Sequence, residues 1–120
     1  MNSITIDNDI IINTCSNFDN EQKKISLNTN INFIQFHFCL EGKVILNYND
    51  RAYQFQLSEN SSIILFNPST NLPIDGELEK NSKYLSLLIT IKKFHGLFSE
   101  LTGNISLSLI HISEPTRLSL

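Results

Sequence analysis

Between residues 31 and 40 the side chains alternate: Phe33, Gln35, His37 and Cys39 fall on one face of an extended segment, and Ile34, Phe36, Phe38 and Leu40 on the other. Shorter apolar or alternating runs at 4–6, 10–15, 25–30, 43–48, 52–57, 63–66, 74–78 and 84–91 predict further strands, the one at 25–30 as a sheet edge. Turn formers separate them: Asp7-Asn8-Asp9, Glu41-Gly42, Asn49-Asp50, Asn67-Pro68 and Glu79-Lys80-Asn81-Ser82. Residues 17–24 are polar and read as loop. After 91 the period changes. Phe94, Leu97, Phe98 and Leu101 make the stripe of a short amphipathic helix, which Gly103-Asn104 would end. Many short strands followed by one helix predict a mainly antiparallel, all-β domain, folded over as a sandwich or barrel, with apolar residues both inside and on a packed outer face.

Composition narrows this picture without redirecting it. The 120 residues suffice for one domain, and 41% hydrophobic with 18% charged residues places the chain among globular proteins. No apolar run approaches the length of a membrane span, and the first residues lack the basic-then-apolar order of a signal peptide, so the expected location is the cytoplasm, away from membranes. A net charge of −3 with no clustered Lys or Arg is not a nucleic-acid footprint. Cys15 and Cys39 are too few for a disulfide framework and read as free thiols.

The stretch Phe36-His37-Phe38-Cys39-Leu40-Glu41-Gly42, the hairpin over 44–57, Leu65-Phe66-Asn67-Pro68, Leu72-Pro73 and the segment from Leu85 through Ile91-Lys92-Lys93-Phe94-His95 to Phe98 resemble, in order and spacing, the N-terminal domain of bacterial AraC-family transcription regulators. The resemblance covers roughly residues 31–99. It implies a cupin-like, jelly-roll β-barrel over 1–106 that senses a small-molecule effector, forms a homodimer, or both. It further implies helices leading to a C-terminal pair of helix-turn-helix motifs that reads DNA. The residues after 101 carry no such pattern, so the chain reads as a truncated regulator that contacts DNA only through a missing half. Residues 107–117, Leu-Ser-Leu-Ile-His-Ile-Ser-Glu-Pro-Thr-Arg, resemble a translated sequencing adapter, and 107–120 is expected to be a non-native tail.

The candidate chemistry centres on His37. Gln35, His37, Cys39, Ser86 and Thr90 share interior parity on their strands and are the candidate ligand-binding set, polar anchors in an otherwise apolar cavity. His37, Cys39 and Glu41 alternate on one face. Catalytic cupins place a His-x-His pair, a following Glu and a distant His around a metal, but here Cys39 takes the second position and the loop after Pro68 contains no His. No metal or other cofactor is therefore expected. Nor does a nucleophile elbow or phosphate loop occur, so an enzyme is the alternative reading, as a small stand-alone cupin-type metal protein. The stripe Phe94, Leu97, Phe98 and Leu101 is the candidate surface for covering the barrel or meeting a second subunit.

Overall fold

The computed structural model describes residues 2–27, 29, 31–48, 52–69, 71–102 and 116–119, with 98–102 and 116–119 as backbone alone. The strands in chain order are β1 (Asn2–Asp7), β2 (Ile10–Asn17), β3 (Lys23–Leu27), β4 (Phe33–Glu41), β5 (Lys43–Tyr48), β6 (Tyr53–Ser58), β7 (Ser61–Phe66), β8 (Ile74–Leu78) and β9 (Ser82–Thr90), followed by helix α1 (Ile91–Thr102) and β10 (Thr116–Ser119). Every run expected to be extended lies in or over one of β1–β9. The element β10, which pairs antiparallel with β7, has no counterpart in the hydrophobic pattern. The Asn49-Asp50 hairpin, the Gly103-Asn104 stop and residues 107–115 lie outside the described residues.

The strands form two sheets, ordered β1-β2-β9-β4-β7-β10 and β3-β8-β5-β6, all paired antiparallel. The eight strands β2 to β9 thus interleave as 2-9-4-7 over 3-8-5-6, the strand order of a jelly roll. The fold is a mostly antiparallel β jelly roll with one short helix.

Alternation dictates the packing. Inward residues of both sheets, among them Val44, Leu46, Leu57, Ile63, Leu65, Ile74, Leu78 and Leu88, form one buried core between the sheets. On the outer face of the larger sheet a second cluster gathers Ile34, Phe66 and Ile89, with Ile10, Phe36, Ile64, Ile91 and Phe94 packed against it. The helix rests there, its Phe94 ring 6.1 Å from that of Phe36. This is the packed outside that two apolar strand faces require. Among the described residues no helix is long and apolar enough to cross a membrane.

Two glycines answer local demands. Gly42 turns β4 into β5 at φ 74°. Gly76 on β8 lies so close to β5 that a Cβ there would sit 2.1 Å from the Ile45 carbonyl oxygen.

Candidate functional site

His37 is fully buried between the sheets and engaged at both ring nitrogens. Its Nδ1 lies 2.6 Å from the Tyr84 hydroxyl, and its Nε2 lies 2.8 Å from Gln35 Oε1. Tyr48, from the opposite sheet, donates its hydroxyl to Gln35 Oε1 at 3.2 Å. The Gln35 amide NH₂ donates to the Leu72 carbonyl and, at 3.3 Å, to Thr29 Oγ1. Tyr84 is also hydrogen-bonded to Ser86, whose Oγ accepts from Asn13 Nδ2 at 3.0 Å, and Asn13 Oδ1 in turn accepts from Ser3 Oγ at 2.6 Å. The barrel interior is thus threaded by a chain of polar side chains, each satisfied by the next.

Burial sets the protonation states. Desolvation lowers the His37 pKa from 6.5 to about 3, so the ring stays neutral at physiological pH. Desolvation likewise raises the Tyr84 and Tyr48 hydroxyls, and they remain protonated donors. Cys39 is pushed up by burial and then by the Glu59 charge. It remains a thiol, its Sγ donating to the Glu41 carbonyl at 3.3 Å. With one neutral-ring nitrogen donating and the other accepting, His37 has no lone pair left for a further ligand.

The expected set therefore divides. Gln35, His37 and Ser86 come together in one network, and Cys39 packs two residues along as part of the core. Thr90 shares their parity but lies at the end of β9, where it caps α1. Its Oγ1 accepts from the Lys93 backbone N–H at 3.2 Å and donates to Asp9 Oδ1 at 3.0 Å. Glu41, which alternates with His37 and Cys39 in the sequence, does not face inward with them. The β4–β9 register shifts between Cys39 and Glu41, and this irregularity breaks the alternation. Glu41 is exposed and meets Lys83 at 3.5 Å. Among the described residues no three His, Cys, Asp or Glu side chains are placed to hold a metal ion. On the helix, Phe94 is half-buried against the barrel and Leu97 is 38% exposed; the side chains of Phe98 and Leu101 lie outside the described residues.

A cleft of about 430 Å³ opens at one end of the barrel, between β1–β2 and the end of β3. Ile11, Leu27, Phe33 and Leu88 give it apolar walls, and Ser3, Thr5, Asn13 and Thr29 line its polar side. The volume lies in the range of small-molecule sites, and the lining has their usual character. Three of its polar residues, Ser3, Asn13 and Thr29, are also members of the His37 network. The cleft thus reaches the network at both ends. Sequence reasoning missed Asn13, Thr29, Tyr48 and Tyr84. The signal for Asn13 was present, as a lone amide following Ile10-Ile11-Ile12 on a strand. Thr29, beyond the end of β3, carried none.

Neither a family model nor a curated protein matches the sequence. Solved structures do match the fold. ToxT from Vibrio cholerae in its apo form aligns with 86% of this chain at a TM-score of 0.55 and 12% identity. ToxT with an unsaturated fatty acid bound aligns with 86% of it at 0.53 and 14%. The chain spans 38% and 36% of those two structures. The cupin domain of Schizosaccharomyces pombe Cnp3 aligns with 80% of the chain at 0.55 and 14% identity, and the chain spans 63% of it. At such identities the likeness is one of fold, and the fold is cupin-like.

Proposed function

We propose that this domain is the effector-binding half of an AraC-type transcription regulator, without catalytic activity of its own, and that the cleft between β1–β2 and β3 is where the effector binds. The observation that carries the reading is the cleft itself: apolar walls and a few fixed polar groups, backed by a satisfied hydrogen-bond network. The cupin-like fold shared with ToxT supports it, as does the sequence resemblance over residues 31–99. That ToxT has been seen with a fatty acid bound supports a small-molecule effector.

The route from cleft to helix is short. The strands that wall the cleft, β1 and β2, are joined by the turn Asp7-Asn8-Asp9, and this turn grips the start of α1. Asp9 accepts from the Thr90 hydroxyl and from its backbone N–H at 2.9 Å, and Asp7 pairs with Lys93 at 3.9 Å. An effector that favours one position of β1–β2 thereby biases α1, and through α1 a DNA-binding half beyond it. Thermal denaturation of the chain against a panel of small amphipathic molecules tests the binding step. Compounds that fill the cleft should raise the melting temperature by a few degrees, an effect lost in Ile11→Trp, which fills the cleft with a side chain. A panel without effect on the native chain, or with the same effect on both proteins, would refute the assignment.

A further inference from the structure

Asn13 is braced from both sides in a way that leaves one edge of its amide unspent. It stands directly opposite Ser3 on β1 and Ser86 on β9, in one row across the three strands. The direction of the buried network fixes which way round the amide lies. The Leu72 carbonyl can only accept, so the Gln35 NH₂ faces it and Gln35 Oε1 faces His37. The neutral imidazole then carries its proton on Nε2 and accepts at Nδ1 from the Tyr84 hydroxyl. The Tyr84 oxygen accepts from Ser86, so Ser86 accepts from the Asn13 NH₂ and Asn13 Oδ1 takes the proton of Ser3. A serine hydroxyl stands closer to its own strand than an asparagine amide does. Across a row of opposed residues the two hydroxyls therefore meet the amide on its flanks. They occupy the Nδ2 proton trans to the oxygen and the outer lone pair of Oδ1. The proton cis to Oδ1 and the second lone pair lie side by side on the edge that points away from the sheet. Among the described residues no other group bonds to this amide. Asn13 is fully buried, so bulk water does not serve that edge, and it forms part of the cleft wall. A buried donor and acceptor left open cost free energy that a guest in the cleft recovers.

Resting on the reading of this cleft as the effector site, we infer that the effector carries a donor and an acceptor side by side, as on the edge of a primary carboxamide or a lactam. That edge pairs with the open edge of Asn13 through two hydrogen bonds, and the apolar walls take the rest of the molecule. Asn13 is then the residue that determines specificity. The guest enters under Ser3: β1 is exposed along its whole length, and the shift of β1–β2 that biases α1 also opens this way in. The Thr5 hydroxyl in the same wall donates or accepts as required, so it adds affinity for either group of such a head.

Isothermal titration calorimetry of the whole chain with octanamide and N-methyloctanamide tests this. Both carry a carbonyl and an N–H on the same tail, but the N-methyl compound holds its N–H trans to the carbonyl and lacks the paired edge. Octanamide should bind about ten-fold more tightly or better. In nitrogen–proton correlation spectra it should move the Asn13 Nδ2 proton cis to the oxygen downfield and leave the other, held by Ser86, in place. Poor fit of the methyl group alone does not produce that response. An N-methyl compound that binds as tightly or more so, with binding abolished by Ile11→Trp, overturns the edge pairing while leaving the cleft as the site. Tighter octanamide binding with the Asn13 protons unmoved does the same. Binding that survives Ile11→Trp overturns both. Binding of neither amide overturns the head group alone if the melting-temperature panel yields compounds whose effect Ile11→Trp removes, and the cleft with it if the panel yields none.

Discussion

The imidazole of His37 lies nearly parallel to the ring of Tyr84, 17° apart with centroids at 5.9 Å, while the Tyr84 hydroxyl reaches His37 Nδ1. Ser86 is directly opposite His37 on β9, so Tyr84 is its diagonal neighbour, two residues along the strand. One cross-strand pair therefore supplies both an apolar contact and a buried hydrogen bond.

The neutral state of His37 makes stability depend on pH in a defined window. The unfolded chain takes up a proton on this residue near 6.5, and the folded chain only near about 3. Below 6.5 the unfolded state binds the additional proton. The contribution is fully present above 6.5 and declines as the pH falls towards about 3, with a slope approaching about 1.4 kcal/mol per pH unit. Urea unfolding between pH 7.5 and 4.5 should show this, and the difference between the native chain and His37→Gln should shrink with that slope below pH 6.

Removing one atom from Tyr84 tests the network. Tyr84→Phe keeps the stacked ring but leaves His37 Nδ1 and the Ser86 hydroxyl without their partner, at an expected loss of about 1–3 kcal/mol in chemical denaturation. Combined with Ser86→Ala, the loss should fall short of the sum of the single effects, because both substitutions break the same link. Strict additivity would show that the bond contributes nothing.

Gly76→Ala should be far more damaging than its size suggests. The added methyl would meet the Ile45 carbonyl oxygen within the β5–β8 ladder, where neither backbone can yield without breaking pairing. A loss of about 3 kcal/mol or more, or failure to fold by circular dichroism, is expected.

The helix stripe should be uneven in its energetics. Phe94→Ala removes a half-buried ring from the outer cluster and should cost about 2 kcal/mol, below the 3–5 of a fully buried Phe. Leu97→Ala should cost about 0.5 kcal/mol or less in the same assay, since its side chain is exposed. Equal losses would contradict the docking of α1 through Phe94.

The strands and the inward parity of Gln35, His37 and Ser86 were legible because period-two alternation is a local signal. Thr90 was misplaced by extending that rule past its end, to a strand-to-helix junction, whereas Glu41, beyond a register shift, is the solvated residue at the strand end that its place before Gly42 suggested. Pairing order and the partners of His37 were not legible. Tyr48 and Tyr84 come from different sheets, and only the jelly-roll crossing brings both hydroxyls to one imidazole. The cleft joins residues near the N-terminus to Phe33 and Leu88, a distance no periodicity spans.

The placing of β9 between β2 and β4 bears on how this domain is made. β2 closes against residues 82–89 and β4 against 83–90, so both strands emerge from the ribosome long before their shared partner exists. Until β9 is synthesised, Ile11, Phe33, Ile34 and Phe36 lack the strand that aligns them. Folding should thus begin in the local β5–β6 hairpin and finish late, in a slow step dominated by long-range closure. Nascent chains ending before residue 90 are the ones that should call on chaperones.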